Sequence, residues 1–183
     1  MARRFEHIQE VHRTFMERQR IFFVASAAPD GHVNVSPRST DAFRYIDART
    51  VIYLDRTGSG NETAAHIRAG GRMTIMFCAV DGPPLILRLY GTGRVHGRRE
   101  RGFSDLLAAH FGGQAPLGTR QIVSLDVELT QSSCGYGVPL FAYSGERSIM
   151  EDWAAAKGQA GIEDYWREKN LTSLDDLPTG LQI

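Results

Sequence analysis

The stretch Val51-Ile-Tyr-Leu-Asp-Arg-Thr-Gly-Ser-Gly-Asn-Glu-Thr-Ala-Ala-His-Ile67 constrains this chain more than any other. Val51 to Leu54 is a β-branched, aromatic and aliphatic run, the composition of a buried strand. Gly58 and Gly60 break that run, Glu62 to Arg68 reads as a helix, and Gly70-Gly71 stops it. A strand, a Gly/Ser/Asn turn and a helix start gather unpaired backbone N–H groups where the helix dipole favours an anion. Ser59-x-x-Glu62 also fits a capping box that would satisfy those donors internally, and Glu62 would repel a phosphate. The turn alone leaves both readings open.

The flanking segments are β-rich. Phe5, Ile8, Val11, Phe15 and Met16 suggest an amphipathic N-terminal helix, with His7 and His12 on its surface. Ile21 to Ala27 and His32 to Pro37 form a hairpin about Pro29-Asp-Gly31, the second strand alternating with one buried face. Asn34, Ser36 and Arg38 share a face of it. Asp41 to Asp47, Arg72 to Val80, Leu85 to His96 and Gln121 to Thr130 are further strands, and Arg98 to Phe111 is a helix. Gly91 and Gly93 within a strand imply a bend or a close approach by a ligand or another backbone. Arg88, flanked by Leu87 and Leu89, faces away from them. Ser132 to Pro139 is too rich in glycine for regular structure, and two helices, Ser148 to Ala156 and Ile162 to Asn170, follow it. The tail from Leu171 to Ile183 shows caps and a proline but no site.

These strands, mostly hairpin-connected with one helix inserted, give a mostly β (α+β) chain. The expected fold is an antiparallel barrel with peripheral helices, in one domain spanning 1–183. A doubly wound α/β sheet would need a helix after nearly every strand. Acidic and basic residues balance at 21 each, so no electrostatic nucleic-acid footprint is expected. No apolar run approaches a membrane span, and the charged N-terminus is unlike a signal peptide, so a cytoplasmic protein is expected. Cys78 and Cys134 stand far apart, and neither they nor the histidines have metal-ligand spacing. No nucleophile elbow, Walker loop or G-x-G-x-x-G motif is present, so any chemistry falls to a bound cofactor.

The order of hairpin, Val-Ser-Pro, Val-Ile-Tyr-Leu-Asp, Gly/Ser loop, helix, long apolar strand and Leu-Arg-Leu-Tyr-Gly resembles the pyridoxamine 5′-phosphate oxidase-like FMN-binding split-barrel family. The resemblance covers about residues 20–130, with 146–183 as a C-terminal helical extension. It implies a split β-barrel homodimer with FMN in a groove between subunits. Ser36, Pro37, Arg38 and Ser39 match the strand along the flavin, and Leu54 and Asp55 match a strand end that meets it. Ser59, Gly60 and Asn61 match the phosphate loop, although the family's basic pair is replaced here by Gly60-Asn61. Arg38, Arg56 and Arg88 are the available substitutes. The loop carrying Cys134 and Tyr136 is expected to close over the flavin, from the same or the partner subunit, and to line a substrate pocket. Its alternative is an ordinary turn with Tyr136 packed on the C-terminal helices. The implied function is an FMN-dependent oxidoreductase acting on a small molecule. A non-catalytic flavin-binding or sensing module, or a haem- or deazaflavin-binding barrel, are the alternatives.

Overall fold

The computed structural model describes residues 2–183. The elements run β1 (Arg3–Phe5), α1 (Glu10–Arg18), β2 (Ile21–Ala27), β3 (Asn34–Ser39), a 3-10 turn (Thr40–Ala42), β4 (Phe43–Asp47) and β5 (Thr50–Arg56). Then come α2 (Glu62–Arg68), β6 (Arg72–Cys78), β7 (Ile86–Gly97), α3 (Arg101–His110), β8 (Thr119–Ser133) and α4 (Ile149–Lys169). All strands join one antiparallel sheet in the order β3-β2-β6-β7-β8-β5-β4, with β1 added along the far half of β8. The sheet curls into the expected split barrel.

The long β7–β8 pair is the spine, and the strand glycines explain how it curls. The β7–β8 register shifts between Tyr90 and Gly91. A Cβ at Gly91 would stand 1.8 Å from the Asp126 carbonyl oxygen, so only glycine lets the two backbones close at this bulge. A Cβ at Gly93 would meet Ile67 and the Met73 sulfur within 3 Å. Its missing side chain makes room for α2 against the sheet.

β5 is buried on both faces, as its unbroken apolar run requires. Val51 and Tyr53 turn into a barrel core with Phe22, Phe43, Phe77, Leu87 and Leu125. Ile52 and Leu54 turn outward under Phe103 and Leu107 of α3. A third cluster, Ala154, Ile162, Trp166 and Leu181, anchors the C-terminal segment. α4 is broken at Gly158, whose φ of 65° and ψ of 172° are non-helical, so the two expected helices meet end to end.

Several local expectations are corrected. Phe5 lies in β1, not in a helix, and Val11 is exposed while His12 is buried. His12 is held by the Gln9 N–H, which donates to its Nδ1, and burial lowers its pKa. At β3 the alternation is inverted: Val33, just before the strand, and Val35 are 70% and 59% exposed, because β3 is an edge strand and its polar face turns inward. Ser132 and Ser133 are regular, finishing β8 opposite Leu87 and Ile86. Among the described residues, no helix is long and apolar enough to cross a membrane.

Candidate functional site

β5 ends in a polar residue, Asp55, that is only 2% exposed, and such a carboxylate needs compensation. Two arginines supply it. Arg38 Nη2 of β3 lies 2.7 Å from Asp55 Oδ1, and Arg120 Nη2 of β8 lies 3.0 Å from Oδ2. Gln121 Nε2 donates to Asp55 Oδ2 at 2.8 Å and to Asn61 Oδ1 at 2.8 Å. The antiparallel register explains the assembly, since Asp55 faces Gln121 directly across β5–β8. Asp55 Oδ1 sits off the hydrogen-bonding direction of its arginine, so that contact is mainly coulombic. Burial opposes the charge on Arg38, but Asp55 and the Tyr53 phenol together outweigh it and raise the guanidinium pKa. Arg38 also lies 4.8 Å from the centroid of the Tyr53 ring. Burial pushes the Tyr53 phenol above its usual range.

This cluster forms one wall of a groove of about 1230 Å³. Ser36, Pro37, Arg38, Ser39, Leu54, Arg56, Ser59, Gly60 and Asn61 all line it, and Asp55 lies directly behind them. Across the groove runs the irregular strap 138–147, with Phe141 and Tyr143 largely exposed. Arg56 Nη2 donates to Glu151 Oε1 at 2.5 Å, which holds the Glu151 carboxyl below its ordinary value. Cys78 also reaches the groove, and burial raises its thiol pKa.

Three expected residues stand apart. Arg88, on β7, donates from Nη1 to Ser133 Oγ at 3.3 Å and does not line the groove. Cys134 is exposed, and Tyr136 is 82% exposed, so the tyrosine is not packed on the C-terminal helices. Neither lines the groove within its own chain; Val138, Pro139 and residues 141–147 of the same loop do.

The capping box does not form. Asn61, with φ −138° and ψ 41°, is the N-cap of α2 and makes no side-chain cap bond. Glu62 Oε2 instead accepts from the Leu174 N–H at 3.0 Å. Leu174 also lines the groove, so the tail does reach the site.

Sequence reasoning missed Arg120 and Asn170. Arg120 Nη1 donates to Gly60 O at 2.7 Å and to Asn170 Oδ1 at 3.0 Å, and Asn170 Nδ2 donates to Gly58 O at 3.1 Å. Trp166 Nε1 donates to Thr57 Oγ1 at 2.8 Å, so the end of α4 braces the turn from below. The available signal was the polar run Thr119-Arg-Gln at the start of a core strand, a place where burial demands partners.

The wall has too many donors. Nε of Arg38, Arg56 and Arg120 and Nδ2 of Asn61 are buried without a hydrogen-bond partner. Buried unpaired donors are rare, and each costs about 1–3 kcal/mol. All four belong to residues lining this one groove. Such a wall suits an acceptor-rich, anionic ligand, and the residues present fit a flavin phosphate. Among the described residues, no three His, Cys, Asp or Glu side chains cluster as a metal site requires.

Comparison with known proteins agrees with this architecture. The family model described as pyridoxamine 5′-phosphate oxidase matches residues 8–134. The pyridoxamine 5′-phosphate oxidase family protein ustO of Aspergillus flavus is 33% identical over 192 residues, covering 95% of this chain and 76% of its own. Among solved structures, a HupZ variant from Group A Streptococcus superposes with a TM-score of 0.56 at 19% identity, covering 69% of this chain and 99% of that one. A putative pyridoxamine 5′-phosphate oxidase from Lactobacillus delbrueckii gives 0.53 at 18% identity, covering 69% and 94%. The last two show a shared fold; the sequence match over the barrel shows more, and the chain belongs to the pyridoxamine 5′-phosphate oxidase family.

Proposed function

We propose that the protein is an FMN-dependent oxidoreductase acting on a small molecule, working as a homodimer whose subunits share the groove. The observation that carries this reading is the donor-rich wall, with four buried unpaired donors on one groove of a family member. Arg38, Arg56 and the Ser59–Asn61 turn would hold the phosphate, and Ser36 to Ser39 with Leu54 would lie along the remainder of the cofactor. FMN supplies two-electron transfer, which no side chain here provides. The chain's own part is to bind, orient and shield. The exposed valines at edge strand β3 support a partner subunit, because a monomer seldom leaves such an edge uncovered. A histidine-ligated haem is less favoured, since no histidine is among the described residues lining the groove.

The test is a pair of titrations, FMN and riboflavin, on the wild type, Arg38→Ala and Arg88→Ala. A charge-assisted phosphate contact is worth about 1.5–3 kcal/mol, so Arg38→Ala should weaken FMN roughly ten- to a hundredfold and spare riboflavin. Arg88→Ala should leave both ligands unaffected, given its position away from the groove. Wild-type protein that binds FMN no better than riboflavin overturns the phosphate assignment. Turnover of a reduced nicotinamide separates an enzyme from a binding module.

A further inference from the structure

The turn 58–61 carries no cationic side chain, yet two of its carbonyls are fixed by buried groups. Gly58 O accepts from Asn170 Nδ2, and Gly60 O accepts from Arg120 Nη1. Asn170 and Arg120 are 0% and 2% exposed and bonded to each other, so both carbonyls point into the protein interior. In a trans peptide the carbonyl and the following N–H point in opposite directions, and the described residues contain no cis peptide. Holding the Gly58 and Gly60 carbonyls inward therefore turns the N–H groups of Ser59 and Asn61 outward, on residues that line the groove. Among the described residues, no backbone acceptor takes either N–H.

A second observation points to a ligand at the same place. Asn61 is 3% exposed; its Oδ1 is fixed by Gln121, and its Nδ2 has no partner. Arg120 Nε is likewise buried and unpaired. The Ser59 and Asn61 N–H groups flank Gly60, and backbone N–H groups that converge on one side of a turn make an anion-binding concavity. The nearby Glu62 is engaged through Oε2 by the Leu174 N–H.

We propose that Arg120 and Asn170 are positioning residues that shape the 58–61 turn into a backbone cradle for the terminal phosphate of FMN. This rests on the FMN reading above and deepens it. Backbone N–H groups from Ser59 and Asn61, with Asn61 Nδ2, receive the phosphate in place of a basic side chain on the turn. Asn170 lies beyond the family-matched residues 8–134, so the C-terminal segment becomes part of the ligand-binding apparatus.

The experiment follows the Ser59 and Asn61 amide resonances of the ¹⁵N-labelled full chain during titration with FMN, riboflavin and inorganic phosphate. It is repeated on Asn170→Asp, which keeps an acceptor for Arg120 but loses the donor to Gly58. In the wild type, FMN and phosphate should shift both amides and riboflavin should not. In Asn170→Asp those shifts should shrink, and FMN affinity should fall about tenfold while riboflavin affinity is unchanged, since one hydrogen bond is worth about that much. Equal losses for both ligands would mark Asn170 as structural only and overturn the proposal. FMN binding with both amides unmoved overturns the cradle and leaves the FMN reading intact. Phosphate-induced shifts without FMN binding do the reverse. If Asn170→Asp fails to fold, the wild-type amide shifts decide.

Discussion

Asp55→Asn is the sharpest perturbation of the site, because one carboxylate balances two arginines. Asp55 and Arg120 are each 2% exposed, and the Arg38 side chain is 18% exposed. Removing one partner of a buried ion pair costs about 3–5 kcal/mol, mostly from the charge left behind. Here the two arginines are not equally stranded. Arg120 keeps Gly60 O and Asn170 Oδ1, whereas Arg38 keeps only the face of Tyr53 and can relax toward the groove. The lower end of that range is therefore expected. At about 2–4 °C per kcal/mol for a chain of this size, the melting temperature should drop by roughly 6–12 °C from a loss of about 3 kcal/mol. The surplus positive charge should also favour an anion, so saturating FMN should recover more stability in Asp55→Asn than in the wild type. Thermal and urea denaturation with and without FMN read both effects. Removing Arg38 together with the carboxylate, in Arg38→Met/Asp55→Asn, should restore part of the loss. A single variant within about 0.5 kcal/mol of wild type would refute the claim that Asp55 is the counter-charge of this wall.

Three further outcomes are expected. Gly91→Ala should abolish folding or cost several kcal/mol, because its Cβ meets the Asp126 carbonyl at 1.8 Å; normal soluble expression and melting would contradict the bulge. Tyr136→Ala should leave the melting temperature nearly unchanged, as an 82% exposed residue requires, and altered flavin fluorescence in that variant would show the loop reaching the groove from the partner. His32, bonded to Asp175 at 2.6 Å, should titrate above its ordinary 6.5 while Asp175 titrates below 3.8. Raised His32 makes its contribution complete below about pH 6.5 and lost as pH rises through the folded value, and lowered Asp175 makes its own contribution fade in acid. NMR titration of His32 returning to 6.5 in Asp175→Asn checks this, and an unchanged value contradicts it.

The sequence revealed an antiparallel barrel because its central elements are consistent at every level, and the family resemblance implied that it is split. β5 is apolar on both faces and buried on both, and the Gly/Ser turn sits where β5 hands over to α2. The failures share a physical cause, which is that periodicity reports a face and not its partner. β3 alternates correctly, but as an edge strand it turns Val35 outward. β1 has three residues, too few to show a period, and was absorbed into the helix reading of Phe5 to Met16. The site was half legible. Residues 36–39 and 54–61 lie contiguous with strand and turn signals and match the family pattern, and all of them but Asp55 line the groove. Arg120 and Asn170 reach the same turn from 60 and 112 residues away, a proximity created by β5–β8 register and by the docking of α4.

The most direct test of the central claim is a fluorescence-quenching titration of the purified protein with FMN, followed by mass spectrometry of the ligand released by heat. The account predicts saturable binding of one FMN per chain, clearly tighter than riboflavin, and a released mass equal to FMN. No saturable flavin binding, or a released species without a flavin spectrum, would contradict it.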